Sequence, residues 1–171
     1  EQPLCIEPRL TPAGGDRIYS CTKGRLVDDH GRIIGVYGVS KDITERRDLQ
    51  QRMRQWAMAF EDIRDGVVIT DALGCIQSVN RAFSAITGYS TDEAIGASMQ
   101  LLHSGRHDKA FYEQMWASLT QAGHWQGEIW NRRKNGEIYP EWLTISAVRE
   151  KDQPVTHYVG VFTDISRLKD S

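Results

Sequence analysis

The sequence predicts an α+β fold, a five-stranded antiparallel sheet with short helices gathered on one face. Two observations carry that prediction. From Gly66 onward, two strand-like segments lead into several short helical patterns and one longer amphipathic helix, and three more strands joined by polar turns follow. That order segregates helices from an antiparallel meander instead of alternating them with parallel strands. Part of the same order also occurs earlier: residues 35–46, GVYGVSKDITER, align with residues 157–167, HYVGVFTDISR. Laying Asp42 on Asp164 puts Gly38 on Gly160, Val39 on Val161 and Ile43 on Ile165.

The elements follow in order. The first copy reads DRIYSCTKGRLVDDHGR and then its β-branched strand, the counterpart of GEIYPEWLTISAVREKDQP and the last strand of the second copy. The second copy has roughly ninety residues of organised sequence ahead of its strands and the first almost none, so residues 1–43 read as the closing strands of a domain. Such strands cannot bury an inner face alone, and another chain or the intact domain is expected to cover them. Residues 44–63 read as a helix. Leu49, Met53, Trp56, Phe60 and Ile63 fall at spacings of 4, 3, 4 and 3, the a/d periodicity of a helical seam. Thr44 is the expected N-cap and Asp65-Gly66 ends the run. The seam can lie on its own sheet, or it can pair with a second copy as a parallel coiled coil. The second reading makes the protein a homodimer through this helix and the upstream strands.

VVIT (67–70) and CIQSV (75–79) then form a hairpin about Asp71-Ala72-Leu73-Gly74. Asn80 suits the N-cap of a short helix carrying Phe83 and Ile86 and stopped at Thr87-Gly88. Thr91 opens the capping-box-like TDEAIG. Asp108 caps the longest helix of this region, with Phe111, Met115, Trp116 and Leu119 inward and Gly123 at its end. WQGEIWNRR, EIYPEWLTISAV and THYVGVFTDI complete the sheet, turning at Asn135-Gly136 and at residues 150–154.

Composition bounds the function. The chain's 171 residues fit one domain plus a fragment. Its 21 Lys+Arg against 23 Asp+Glu leave a net charge of −2, which argues against a nucleic-acid footprint and against a polybasic hold on a membrane. Hydrophobic residues at 40% and charged residues at 26% mark folded rather than disordered material. No run approaches the roughly 18 apolar residues of a membrane span, and EQPLCIEP is no signal peptide. Cys5, Cys21 and Cys75 are odd in number and widely spaced, so neither a disulfide framework nor a CxxC site is expected. A reducing, cytoplasmic setting is expected instead, with anchoring elsewhere in a parent protein left open. There is no GxxxxGK, HExxH or GxSxG, so the chain is not expected to be an enzyme.

The phrases GVVITDALGCIQSVNRAFSAITGYSTDEAIG, SGRHDKAFYEQMW and HWQGEIWNRRKNGEIYPEWLTISAV, with the DIS exit, make residues 61–167 resemble a PAS domain with its C-terminal PAC motif. Residues 4–43 resemble the last strands of a preceding PAS domain, and 44–60 the connecting signalling helix. The implied organisation is 1–43 upstream strands, 44–63 signalling helix, 64–166 complete PAS domain and 167–171 the start of an outgoing helix. The resemblance implies a bacterial sensory or relay module that passes a ligand or redox signal to a downstream domain. The phrasing is most similar to PAS modules of cyclic-di-GMP enzymes, where a cyclase or phosphodiesterase domain follows; histidine kinases carry similar modules.

The same resemblance supplies candidate sites. In light-sensing relatives a reactive cysteine follows the glycine that ends the second short helix by three residues. GASMQLL puts Met99 there, which removes photoadduct chemistry, and Cys75 lies on the second strand. In FAD-binding relatives a Trp and an Asn on the strand after the long helix hold the ring, and Trp125 and Asn131 match them. Met99 also stands where those relatives use an acidic residue, and Asn80 joins the candidate set. Against flavin stands the reading in which Trp125 and Trp130 simply cap the hydrophobic layer. A haem would draw on His103, His107 or His124, but Ser104-Gly105 breaks any helix between the first two. Zinc lacks cysteine support. A cofactor-free dimerisation and relay module is the remaining reading. Arg132-Arg133-Lys134 reads as a solvated basic run and Glu137 as a local partner. Asp42 and Asp164 match the family's exit aspartate, which can cap the outgoing helix or bond to the sheet. With Leu49, Met53, Trp56 and Phe60 they form the expected relay.

Overall fold

The computed structural model describes the backbone of residues 5–10 and 16–170, with side chains from residue 16 onward. The chain divides into two compact units, Glu1–Ala57 and Met58–Ser171.

In the first unit, β1 (Cys5–Leu10), β2 (Asp16–Val27) and β3 (Ile33–Asp42) form an antiparallel sheet in the order β1-β2-β3. The Asp28 carboxylate accepts the His30 and Arg32 N–H groups and shapes the β2–β3 turn. Cys21 is buried, whereas Ile33, Ile34, Val36 and Val39 of the edge strand are exposed. Helix α1 (Thr44–Asp62) spans the expected segment and has no buried residue. Thr44 is not its cap. Its hydroxyl accepts the Ile18 N–H, while the Asp42 carboxylate accepts both the Thr44 N–H and the Thr44 hydroxyl. Thr44 lies inside the first turn, and the free N–H there is met by the acidic residue two positions earlier.

The second unit runs β4 (Gly66–Asp71), β5 (Ile76–Val79), α2 (Arg81–Thr87), α3 (Thr91–Ala94), a 3-10 turn (Met99–Leu102), α4 (Lys109–Ala122), β6 (His124–Arg132), β7 (Ile138–Val148), β8 (His157–Asp164) and α5 (Ser166–Lys169). Its sheet is antiparallel and five-stranded, as the sequence predicts, and its strand order is β5-β4-β8-β7-β6. First and last strands meet at its centre, with Gly66 opposite Phe162. A Cβ at Gly66 would overlap the Phe162 ring, so glycine lets that ring fill the core. Along β7, Tyr139, Glu141 and Leu143 are buried while Ile138 and Trp142 are exposed, the alternation of a sheet covered on one face, interrupted by the buried Pro140. Phe83, Leu102, Leu119 and Ile129 close the core between sheet and helices.

Two details differ from the sequence reading. The α3 cap is Ser90 rather than Thr91, in a reciprocal capping box with Glu93. Trp116 is 44% exposed and stands edge-on to Tyr158 at 5.2 Å, because the residue after inward-facing Met115 lies about 100° further round the helix.

Candidate functional site

The inner face of the sheet and α4 line a half-open cavity of about 480 Å³, within the range of small-molecule sites. Its walls are mainly apolar: Ile129, Leu143 and Ile145 from the sheet, facing Met99, Met115 and Leu119. Gly160 also lines it. A Cβ there would lie 3.1 Å from Val68 Cγ1 and 3.6 Å from Leu143 Cδ1, so the missing side chain leaves space.

Two residues of this wall each carry a buried polar atom without a partner. Asn131, 4% exposed, donates its Nδ2–H to Glu141 Oε1 at 2.7 Å, and its Oδ1 accepts from nothing. The buried Tyr112 hydroxyl is likewise unpartnered. Buried polar atoms are normally paired, and each left alone costs about 1–3 kcal/mol, so both atoms suit an incoming ligand. His103, also on the wall, stacks on Tyr112 at 4.2 Å. Burial, then the neighbouring His107, pulls its pKa down and keeps its imidazole neutral at pH 7.

Behind the wall Glu141 is 1% exposed, and its Oε2 accepts the Tyr139 hydroxyl at 2.8 Å. Burial pushes its carboxyl up to about 7 against the hydrogen bonds from Tyr139 and Asn131, which favour the charged form. Tyr139 is itself pushed up, by burial and then by the Glu141 charge. The Arg133 guanidinium covers the Tyr139 ring at 3.9 Å. It donates to the Ile86 carbonyl at 2.6 Å and pairs with Asp164 at 2.6 Å and Glu137 at 3.1 Å. Arg133 is therefore not the solvated residue expected: its side chain is 16% exposed. Arg132 stays exposed, and Lys134 pairs with Glu93.

Asp164 completes this set. Its Oδ1 accepts the Ser166 N–H at 2.9 Å and the Ser166 hydroxyl. Burial raises its carboxyl, but the bonds from Ser166 and Arg133 more than offset that and leave it below the usual range. The exit of β3 repeats the geometry. Asp42 accepts from Thr44 and pairs with Arg17 at 2.8 Å, and the hydrogen bonds from Thr44 hold its carboxyl at about 2. The Ile43 N–H donates to Ile18 O as the Ile165 N–H donates to Pro140 O.

Of the four candidate cofactor residues, Met99 and Asn131 lie on the cavity wall and Trp125 and Asn80 do not. The Trp125 indole lies along its own strand over Gly127, where a Cβ would come within 3.1 Å of the ring, and stands edge-on to Phe111. Asn80 is a clamp. Its Oδ1 accepts the Val67 and Phe83 N–H groups, and its Nδ2 donates to the carbonyls of Phe60, Ile63 and Asp65. It caps α2, as expected, and fastens the end of α1 to the start of β4. Asp65 in turn accepts the Thr163 hydroxyl at 2.9 Å, so the incoming and outgoing segments meet at one end of the β4–β8 pair. In the seam, Leu49, Met53 and Trp56 are exposed and Phe60 is half-buried.

These positions test the cofactors that the family resemblance implies. Asn131 could meet the polar edge of a flavin, but Trp125 and Asn131 do not converge on one cavity, so the expected pair does not fit. For haem, His107 Nε2 already accepts the Trp130 N–H at 2.9 Å and His124 is exposed, which leaves His103 alone on the wall. Sequence reasoning missed Tyr112, Arg133, Tyr139 and Glu141. The signal for Glu141 was its place two residues from Tyr139 and from Leu143, on the inward side of a period-two strand.

A family model described as PAS domain matches residues 64–167, and one described as PAS fold matches residues 1–48. The chain belongs to the PAS domain family. Among curated relatives, this PAS protein is 29% identical over 164 residues to the bacterioopsin transcriptional activator of Halobacterium salinarum, covering 94% of the chain and 23% of the relative. It is 32% identical over 117 residues to a nitrogen fixation regulatory protein of Klebsiella oxytoca, covering 68% of the chain and 24% of the relative. The chain thus spans about a quarter of the length of these relatives. Among solved structures, a PAS domain from Colwellia psychrerythraea superposes with a TM-score of 0.63 at 26% identity, over 68% of this chain and 98% of that one. Among the described residues, no helix is long and apolar enough to cross a membrane.

Proposed function

We propose that this chain is the sensory and relay module of a signalling protein, in which a small molecule held beneath the PAS sheet acts on the helices that flank it. One observation carries the reading: an unbroken series of contacts runs from the cavity to the outgoing helix. Asn131 bonds Glu141, Glu141 bonds Tyr139, Arg133 covers Tyr139, and Arg133 pairs with the Asp164 that holds Ser166. The unpartnered Asn131 Oδ1 and Tyr112 hydroxyl favour an occupied cavity over a cofactor-free relay.

In this reading residues 1–43 close an upstream PAS domain, and α1 is the signalling helix joining it to the domain at 64–166. The match of residues 1–48 to a PAS fold and the repeated exit geometry support that division. The exposed seam of Leu49, Met53 and Trp56 supports pairing with a second copy. The output domain belongs elsewhere in the parent protein. Sequence phrasing points to cyclic-di-GMP turnover, whereas relatives named as a transcriptional activator and as a blue-light-activated histidine kinase favour a broader class of signalling outputs. Placement in the cytoplasm rests on cysteine usage.

Native mass spectrometry of the purified chain tests the reading. The expected result is a dimer carrying a non-covalent small molecule, with the bound mass lost in Asn131→Leu. A monomer without bound mass contradicts it.

A further inference from the structure

We propose that Glu141 sets which kind of ligand the cavity accepts: when Glu141 is ionised Asn131 offers the cavity a hydrogen-bond acceptor, and when Glu141 is protonated Asn131 turns over and offers a donor. This rests on the reading of the cavity as a ligand site.

A side-chain amide has one acceptor end and one donor end. Asn131 is buried between two surroundings, Glu141 on one side and the cavity on the other. An ionised carboxylate only accepts, so the amide must turn its Nδ2–H toward Oε1, 2.7 Å away. Oδ1 is then turned away from Glu141, where it is buried and has no partner. A protonated Glu141 reverses this. Its other oxygen, Oε2, is held by the Tyr139 hydroxyl at 2.8 Å, so the proton resides on Oε1 and faces Asn131. The amide then accepts with Oδ1 and turns its NH₂ into the cavity. The Tyr112 hydroxyl, which donates or accepts, adapts to either state.

The charged and titratable groups around Glu141 leave its proton free to exchange near neutrality. Tyr139 lies on the same strand and donates to the carboxylate. Asp164 stands opposite Glu141 across the β7–β8 pair and disfavours a second negative charge, while Arg133 favours it. Burial outweighs both and brings the carboxyl to about 7. His103, bridged to Asn131 through the main chain, and His107 lie below the usual histidine range and take up protons only after Glu141 as the pH falls. Asp164 stays ionised throughout, held by Arg133 and Ser166.

NMR of the isotopically labelled full chain tests the switch from about pH 5.5 to about pH 8.5. The Glu141 carboxyl carbon is expected to titrate near neutrality. Contacts of the Asn131 Nδ2 protons with Glu141 should be present at alkaline pH and lost at acid pH. Two probes read the consequence: indole, which only donates, and acetophenone, which only accepts. Indole should gain roughly tenfold over acetophenone at alkaline pH and lose that preference at acid pH, the worth of one buried hydrogen bond. Glu141→Gln should abolish both pH dependences. Tyr139→Phe, which keeps the carboxyl and removes a bond to its charged form, should move the midpoint upward. A Glu141 that does not titrate, or an amide whose contacts stay fixed while it does, overturns the proposal. An amide that turns while neither probe binds supports the switch and overturns the ligand-site reading.

Discussion

Glu141 concentrates the pH dependence of the folded PAS domain. Its carboxyl rises from an ordinary 4.5 to about 7 because burial penalises the charge, so the folded state holds a proton that the unfolded chain gives up more readily. The stabilisation is present in full below 4.5 and is lost as pH rises through about 7. Chemical denaturation should therefore show stability falling across that interval, by on the order of 3 kcal/mol from this group, and Glu141→Gln should flatten the slope. Asp164 works in the opposite sense: its lowered carboxyl contributes stability at neutral pH that is lost as pH falls through its folded value. Asn80 carries a different load. Asn80→Ala leaves two buried N–H groups and the carbonyls of Phe60, Ile63 and Asp65 without their partner, and should cost about 2–4 kcal/mol in the same measurement. Gly160→Ala should weaken ligand binding more than stability, since its Cβ projects among Val68 and Leu143 at the cavity.

At the scale of elements, the exit of each terminal strand is one device used twice. Asp42 and Asp164 each hold the N–H and hydroxyl two residues ahead and an arginine beside them. Asp164→Ala should fray α5 and strand the mostly buried Arg133, visible as faster hydrogen exchange at residues 164–168 with the sheet still protected. Asp42→Ala should do the same at the start of α1. Much of this was legible in the sequence, because caps and turns are local chemistry. Asp108, Gly88, Gly123 and Asn135-Gly136 act within a few residues of themselves, as Asn80 does in its cap to Phe83 but not in its clamp on α1, and the repeat aligned the two exits. What escaped depends on tertiary placement. In Arg132-Arg133-Lys134 nothing local distinguishes the middle residue, yet it is the one covering Tyr139. Trp125 and Asn131 share a strand, but the indole lies back over Gly127 instead of reaching the cavity. Thr44 looked like a cap because threonine often is one, and the acidic residue two positions earlier supplied the acceptor.

At the scale of the molecule, α1 presents Leu49, Met53 and Trp56 to solvent, at 54%, 72% and 76% exposure, on one heptad stripe. Pairing with a second copy would remove that stripe from water. Sedimentation should find a dimer for the native chain and a monomer when Leu49, Met53 and Trp56 are all replaced by glutamate. The closing turn of α1 is clamped by Asn80, and the start of α5 is held by Asp164 beside Asp65 and Thr163, so one end of the β4–β8 pair receives both helices. Filling of the cavity is expected to be felt at that end. Hydrogen exchange of the full chain with and without saturating indole at alkaline pH tests it most directly, read at the amides of residues 60–66 and 164–168. Protection is expected to change at both segments as well as at the cavity wall. Protection that changes at the wall alone, or nowhere, contradicts it.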